Sequence, residues 1–260
     1  MPLAAPARPG ARLHGDAPAC PLRASCITPL LTGIMPPGKG IPRTRMNKDD
    51  LLKYLESFVA DLEQKACLRS QWLKDALLHV PRHLFVDHYR DLEAEGRLVR
   101  VDADRPTPEQ LAKIYSDTVL PVDQPPISTT ASMPSIVIWM LEDLEVAHGN
   151  KVLEIGTGTG WNAGLLAFGV GDDRLVYSID IEPELVESAR VHLSAAGLPN
   201  VSLKATDGAY GWPEAAPFDR IIVTVGPTDI PPAWIEQLAD GGILLMPLKT
   251  AVQATPILRL

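Results

Sequence analysis

Residues 151–167 read KVLEIGTGTGWNAGLLA and combine three local patterns. The apolar run at 151–155 is typical of a buried parallel β-strand. Glycines follow at Gly156, Gly158 and Gly160, and a helical apolar pattern begins at Trp161. Glycine lets the backbone turn tightly and approach a ligand closely, and the first turn of a helix presents unpaired N–H groups. The stretch therefore predicts a strand, a turn and a helix that together bind a nucleotide-like ligand.

The spacing of these glycines restricts the class of ligand. A dinucleotide fingerprint, G-x-G-x-x-G, would need its third glycine at the position of Trp161. A phosphate-binding P-loop is excluded as well, because no Gly-Lys-Ser/Thr follows the glycines. The remaining pattern, E-x-G-x-G-x-G from Glu154, resembles the first motif of class I methyltransferases that use S-adenosyl-L-methionine (SAM).

The pattern around the glycine turn predicts an α/β fold. Strands predicted at 175–179, 201–205, 220–225 and 243–247 alternate with helices predicted at 183–196 and at about 232–238. This alternation indicates a Rossmann-like, doubly wound, mainly parallel sheet with its ligand at the carboxyl ends of the strands. After Pro247 only residues 251–260 could add a strand, so we expect an incomplete C-terminal sheet edge.

Three regions are predicted along the chain. Residues 1–45 carry five Arg and one Lys against a single acid, Asp16, and their many prolines predict a disordered leader. Residues 46–134 are predicted to be a helical N-terminal segment and substrate-side loop, with helices at 48–67 and 71–79 and an exposed connection at 87–105. Asn47 is the predicted cap of the first helix. Residues 135–260 are predicted to be the SAM-binding domain, which begins with a helix at 135–144.

Charge and cysteine content exclude several classes of partner. A net charge of −8 argues against a general nucleic-acid surface, and no uninterrupted apolar stretch is long enough to cross a bilayer. We therefore expect neither nucleic acid nor membrane as a partner. Cys20, Cys26 and Cys67 have no C-x-x-C spacing, which indicates a reducing compartment, a cytoplasmic location and no metal site.

Two acidic residues follow predicted strands. A carboxylate at Asp180 can accept both ribose hydroxyls of an adenosine ligand, although it could instead cap the helix that follows. Asp207 and Gly208 come after the next strand, where SAM enzymes commonly contact the adenine amino group. The same pair is also typical of an ordinary turn.

Longer motifs make a resemblance specific. The chain has VPRHLFV at 80–86, DGAYGWPEAAPFDRIIVT at 207–224 and GGILLMP at 241–247, in the order of the protein-L-isoaspartate O-methyltransferase family. The chain resembles this family over most of residues 72–248. The resemblance implies that SAM is the cofactor and that the substrate is a protein or peptide. It also implies that the free α-carboxylate of an isoaspartyl residue is esterified, giving a methyl ester that can close to a succinimide.

The resemblance also implies roles for individual residues. The implied cofactor contacts are Glu154, Gly156, Thr157, Gly158, Asp180, Asp207, Gly208 and Thr224. The family's active-site serine lies in a segment that resembles I-S-Q-P. Counting back from the first strand without a gap aligns that serine with Ser132, whereas Ser128 fits the motif locally but needs a gap. Either serine could instead be the N-cap of the following helix.

The substrate-side segment departs from the family pattern. Met133 replaces the usual glutamine, and the chain between Tyr115 and Ser132 is longer. The run STTASMPS at 128–135 and the acid Asp180 are more similar to a branch encoded beside ribosomal peptide maturation enzymes. Members of that branch methylate an aspartate of a modified peptide. Two other hypotheses are a methyltransferase of small-molecule carboxylates or hydroxyls and a catalytically weak SAM-binding module.

Overall fold

A computed structural model of the chain describes residues 48–122, 127, 129–250 and 255–260. The predicted leader at 1–45 lies outside these residues, as do Asn47 and Ser128. None of the helices in the described part of the chain has the length and apolar character that a membrane span requires.

Helices and short strand pairs come before the central sheet. Their bounds are α1 (Lys48–Gln64), α2 (Gln71–His79), β1 (His88–Asp91), β2 (Arg97–Arg100), α3 (Pro108–Ile114), β3 (Leu120–Pro121), β4 (Thr130–Ala131) and α4 (Pro134–Leu144). The first helix ends before its predicted end, so Cys67 follows α1 rather than lying in it. The apolar face of α1 is buried at Leu55, Phe58 and Leu62, while Leu52 is 44% exposed and lies off that face.

The expectation of an exposed connection at 87–105 is wrong. There β1 and β2 pair in antiparallel register, with His88 opposite Arg100. His88 and Tyr89 are buried, and His88 Nε2 lies 2.9 Å from the carbonyl oxygen of Val122. Arg97 and Arg100 are exposed and Arg90 and Asp91 are half-buried, and the number of charged residues hid the strand pattern in the sequence.

The central sheet confirms the predicted fold. Its elements are β5 (Val152–Ile155), α5 (Trp161–Val170), β6 (Val176–Asp180), α6 (Pro183–Ala195), β7 (Ser202–Ala205), β8 (Phe218–Val223), α7 (Pro232–Glu236), β9 (Leu238–Pro247) and β10 (Ile257–Arg259). The strand order is β10-β9-β8-β5-β6-β7, and β10 is antiparallel to an otherwise parallel sheet. The chain order reverses at β5, which places a crevice at the carboxyl end of that strand.

The C-terminal side of the sheet differs from the sequence expectation in its detail. Among the described residues the sheet has six strands, with β10 at the edge that we expected to be incomplete. The strand β9 begins at Leu238, before the predicted start at 243, because Leu238 already pairs with Phe218. The register then shifts between Phe218 and Arg220, and Gly241, with φ of +74°, lies inside this irregular stretch.

The N-terminal helices and the sheet share one hydrophobic core. Buried side chains from α1 and α2 belong to the same cluster as residues of α5 and the sheet, from Leu55 to Leu245. Packing is therefore continuous across residue 134, where the sequence predicts a boundary. Trp161, the first residue of α5, is 5% exposed and donates from its ring nitrogen to the carbonyl oxygen of Val80 at 3.1 Å. A tryptophan at this position thus fixes the N-terminal segment to the sheet.

Candidate active site

The glycine turn after β5 adopts backbone angles that favour glycine. Gly156, Gly158 and Gly160 have φ of +106°, +51° and +87°. A Cβ atom at Gly156 would lie 2.4 Å from Thr224 Oγ1, at the end of β8. The Thr224 hydroxyl donates to the Gly156 carbonyl oxygen at 2.6 Å. A side chain at Gly156 would displace the side chains of Thr224 and Val225 and would be strained by the positive φ.

Asp180 connects this turn to the end of β6. Its Oδ2 atom accepts from the Gly158 N–H at 3.0 Å, and its Oδ1 atom accepts from the Glu182 N–H at 3.2 Å. The second bond, to the residue before α6, resembles the helix-capping role that the sequence left open for Asp180. A carboxylate oxygen has two lone pairs, so both oxygens retain capacity for a hydroxyl of a ligand.

Glu154 lies beneath the turn in a buried polar network. Asn162 Nδ2 donates to its Oε1 at 2.7 Å, and Ser178 Oγ donates to its Oε2 at 2.5 Å. The hydroxyls of Thr157 and Ser178 lie 2.7 Å apart. Burial of the carboxyl raises the pKa of Glu154 to about 7, although both hydrogen bonds oppose that rise. Its charge near neutral pH therefore depends on whether a cation is bound beside it.

A cavity of about 1260 Å³ opens at the carboxyl ends of the strands. The predicted site residues that line it are Ser132, Glu154, Gly156, Thr157, Gly158, Asp180 and Thr224. Asp207 and Gly208 are not among its lining residues. Asp207 accepts from the Ala209 N–H at 2.9 Å and starts a short 3₁₀ turn, and a Cβ at Gly208 would lie 2.6 Å from Ile155 Cγ2. Their role as adenine contacts remains a prediction.

Ser132 lies in the loop between β4 and α4, exposed on the wall of the cavity. The structure excludes its alternative role as the helix cap. Met133 is the N-cap residue of α4 and makes no side-chain capping bond. The Ser135 N–H at the start of the helix instead donates to Asp117 Oδ1 at 2.8 Å. In the described part of the chain no hydrogen bond occupies the Ser132 hydroxyl, which leaves it available to a ligand. The rival, Ser128, lies outside the described residues.

Arg82 was not among the site residues predicted from the sequence. This side chain is 1% exposed, yet its guanidinium donates to the carbonyl oxygen of Ser132 at 2.8 Å and of Ala131 at 3.3 Å. A cation inside the apolar run VPRHLFV was the signal that could have identified it. Its neighbour His83 is also buried, with Nδ1 2.8 Å from the Tyr115 hydroxyl. Burial lowers the pKa of His83 to about 4, so that imidazole is neutral at physiological pH.

Comparison with known proteins decides the family. The family model for protein-L-isoaspartate(D-aspartate) O-methyltransferase (PCMT) matches residues 53–258. This chain belongs to that family. It is 36% identical over 192 residues to the protein-L-isoaspartate O-methyltransferase of Ignicoccus hospitalis, covering 74% of this chain and 80% of that protein. It is 38% identical over 200 residues to the protein of the same name from Pyrococcus abyssi, covering 76% and 81% of the two chains.

Solved structures agree with the PCMT fold. A protein-L-isoaspartate O-methyltransferase aligns with a TM-score of 0.66 and 29% identity, covering 79% of this chain and 59% of that chain. A Plasmodium falciparum structure described as a beta-aspartate methyltransferase (PCMT) in complex with S-adenosyl-L-homocysteine aligns with a TM-score of 0.62. It is 15% identical and covers 79% of this chain and 93% of that chain, so it supports the fold alone.

As a PCMT family member the chain is a SAM-dependent methyltransferase, and its cavity fits that cofactor. A Cβ atom at Gly158 would meet nothing within 4 Å, so the turn borders open space there, and Asp180 has oxygens available to a ribose. The buried carboxyl of Glu154 lines the same cavity, where it can attract the cationic methionine part of SAM. The individual contacts remain predictions.

Replacing Asp180 with alanine tests the ribose contact. We expect Asp180→Ala to weaken SAM binding about 10- to 100-fold, because hydrogen bonds to a charged acceptor are lost. Isothermal titration with SAM measures the affinity. The matched control is Asp172→Ala, since Asp172 also accepts an N–H two residues ahead, from Arg174 at 3.0 Å, but on an exposed turn. Equal affinity in Asp180→Ala and wild type would exclude the contact.

The raised pKa of Glu154 predicts a pH dependence of SAM binding. The folded-state pKa of about 7 exceeds the ordinary 4.5. The free energy of unfolding of the chain without SAM therefore falls as the pH rises between these two values. A bound cation favours the carboxylate, and SAM affinity should therefore rise with pH. We expect a rise of roughly five- to tenfold from about pH 6 to about pH 7.5.

Titrations of SAM binding at several pH values measure this rise. Glu154→Gln should bind more weakly at high pH and lose most of the pH dependence, because the amide does not ionise. Glu214→Gln, on an exposed turn away from the cavity, should keep the wild-type profile. A wild-type affinity that is flat or falls with pH in this range would contradict the assignment of Glu154.

Proposed function

We propose that this chain transfers the methyl group of SAM to the free carboxylate of an isoaspartyl residue in a protein or peptide. The observation that carries the proposal is the position of Ser132. Its hydroxyl is exposed on the wall of the same cavity that Glu154 and Asp180 line. Family relatives named protein-L-isoaspartate O-methyltransferase support the same substrate.

The chemistry needs positioning more than proton transfer. A carboxylate is already ionised near neutral pH, so no general base is required to activate it. One carboxylate oxygen forms a bond to the methyl carbon as the carbon–sulfur bond breaks. The bonding electrons pass to sulfur, which yields a methyl ester and neutral S-adenosyl-L-homocysteine. Collinear approach of oxygen, methyl and sulfur is therefore the main contribution of the protein.

Ser132 suits this positioning role. Its hydroxyl can donate to one oxygen of the substrate carboxylate and direct the other oxygen toward the methyl group. The buried imidazole of His83 lies 2.8 Å from the Tyr115 hydroxyl and is not among the residues that line the cavity, and the proposed step does not use it.

Paired peptides with isoaspartate or aspartate at one position test the proposed substrate. With SAM labelled in its methyl group, we expect the isoaspartyl peptide to be labelled at least roughly tenfold faster than its aspartyl twin. The label should be released by base, as expected for an ester. Faster labelling of the aspartyl peptide would favour the substrate of the peptide maturation branch. Labelling of small carboxylic acids but of neither peptide would favour a small-molecule methyltransferase.

Replacing Ser132 with alanine tests the orienting hydroxyl. We expect Ser132→Ala to lower kcat about 10- to 100-fold through loss of a hydrogen bond to a charged group, with SAM affinity unchanged. Ser128→Ala, the rival from the sequence, should stay near wild-type turnover. Steady-state kinetics with the isoaspartyl peptide and SAM titrations separate the two effects. Full turnover in Ser132→Ala, or the loss appearing in Ser128→Ala instead, would show that the assignment is wrong.

A further inference from the structure

Arg82 is a buried cation on the first residue of a 3₁₀ turn that follows Pro81. In the part of the chain that the structure describes, no carboxylate forms an ion pair with it. Burial lowers the pKa of Arg82 to about 10, so the guanidinium still carries its charge at neutral pH. Backbone carbonyl groups accept from its two terminal nitrogens, while Nε is buried without a partner among the described residues.

The carbonyls that accept from Arg82 belong to two segments, the loop before α4 and the end of α3 with the residues that follow it. Nη2 donates to the carbonyl oxygens of Ser132 at 2.8 Å and Ala131 at 3.3 Å. Nη1 donates to the carbonyl oxygen of Ile114 at 2.5 Å and more weakly to that of Ser116 at 3.4 Å. A planar guanidinium holds its donors in a fixed fork, so these bonds fix the directions of the accepting carbonyls. The direction of the Ser132 carbonyl in turn limits where its side chain can point.

Arg82 also contacts Trp161, the residue that follows the glycine turn. Its guanidinium carbon lies 5.3 Å from the ring centroid of Trp161, which begins α5 immediately after Gly160. Trp161 also donates to the carbonyl oxygen of Val80, two residues before Arg82, at 3.1 Å. A continuous set of contacts therefore runs from the cofactor-side turn through Trp161 and Arg82 to the backbone of Ser132.

A second contact holds the far end of the Ser132 loop. Asp117 Oδ1 accepts from the Ser135 N–H at 2.8 Å, and Asp117 Oδ2 accepts from Lys65 Nζ at 3.1 Å. Asp117 therefore fixes the start of α4, while Arg82 fixes the carbonyls just before it. The loop is held on both sides of the Ser132 hydroxyl by groups that do not line the cavity.

We propose that Arg82 is a positioning residue for methyl transfer: it sets the Ser132 hydroxyl at a fixed place relative to the methyl group of bound SAM. This inference rests on the proposed function of Ser132. An apolar side chain of similar volume would fill the same space without the cost of burying a charge. What the guanidinium adds is the direction of the loop carbonyls. Arg82 acts through Ser132 and contacts neither substrate nor cofactor.

The variants Arg82→Lys and Arg82→Met test this role. A lysine keeps the charge but has a single ammonium, which cannot reproduce the fork that bonds the carbonyls at 114 and 116 through one nitrogen and those at 131 and 132 through the other. A methionine removes the buried charge, so it provides a folded variant if the lysine is destabilising. We expect each to lower kcat at least about tenfold, since small displacements of reacting groups are costly, with SAM affinity within about threefold of wild type. Arg220→Lys is the control, because Arg220 also donates to a backbone carbonyl, that of Glu145 at 3.0 Å.

A double-mutant cycle separates positioning from general support of the fold. If Arg82 acts through the Ser132 hydroxyl, Arg82→Met should cost little further activity in the Ser132→Ala background. A cost as large as in wild type would overturn the proposal, and so would unchanged turnover in Ser132→Ala. Wild-type kcat in both Arg82 variants would overturn it too.

Hydrogen exchange gives a readout that does not need catalysis. Amides of residues 129–133 and of Ser135 should exchange faster in Arg82→Met, while those of β5 keep their protection. Unchanged exchange in that loop would overturn the proposal. If wild type methylated no isoaspartyl peptide but the loop still loosened, the proposed substrate would be wrong and the hold of Arg82 on the loop would stand.

Discussion

At Gly156 the chain leaves β5 with φ of +106°, and there is no space for a side chain beside Thr224. Because Gly156 has no side chain, the ends of β5 and β8 can lie close together, and the Thr224 hydroxyl donates to the Gly156 carbonyl at 2.6 Å. The turn that follows presents the Gly158 N–H to Asp180 at the end of β6. Three strand ends are thereby held at one place, and the cavity of this SAM-dependent methyltransferase opens above them.

Trp161 shows why the departure from a dinucleotide fingerprint matters physically. Where that fingerprint has a small residue for close packing of helix on strand, this chain has an indole that reaches the N-terminal segment instead. Its ring N–H donates to the Val80 carbonyl, and its face lies against the guanidinium of Arg82. The N-terminal segment therefore packs against the first residue of α5 and is not a separate domain. Because Arg82 also donates to the Ser132 carbonyl, the loop before α4 is linked to the turn at 156–160 through Trp161.

Sequence patterns within a single element predicted the helices and strands that such local patterns determine. The helix α2 has its predicted bounds, and β5 and α5 follow the apolar run and glycine turn at 151–167. The hairpin of β1 and β2 escaped prediction because charged residues dominate its sequence. The early start of β9 depends on its pairing with Phe218, which no pattern within β9 reveals. Arg82 was missed for a similar reason, since its acceptors lie more than thirty residues away in sequence.

We propose that the strand-end cavity holds SAM while the loop bonded by Arg82 presents Ser132 to the substrate carboxylate. A crystal structure of the chain with S-adenosyl-L-homocysteine and an isoaspartyl peptide is the decisive experiment. We expect the ribose on Asp180 and the Ser132 hydroxyl within hydrogen-bonding distance of the isoaspartyl carboxylate, with the Ser132 carbonyl still bonded to Arg82. A cofactor bound away from the turn at 156–160, or a carboxylate held by Ser128 and not Ser132, would contradict it.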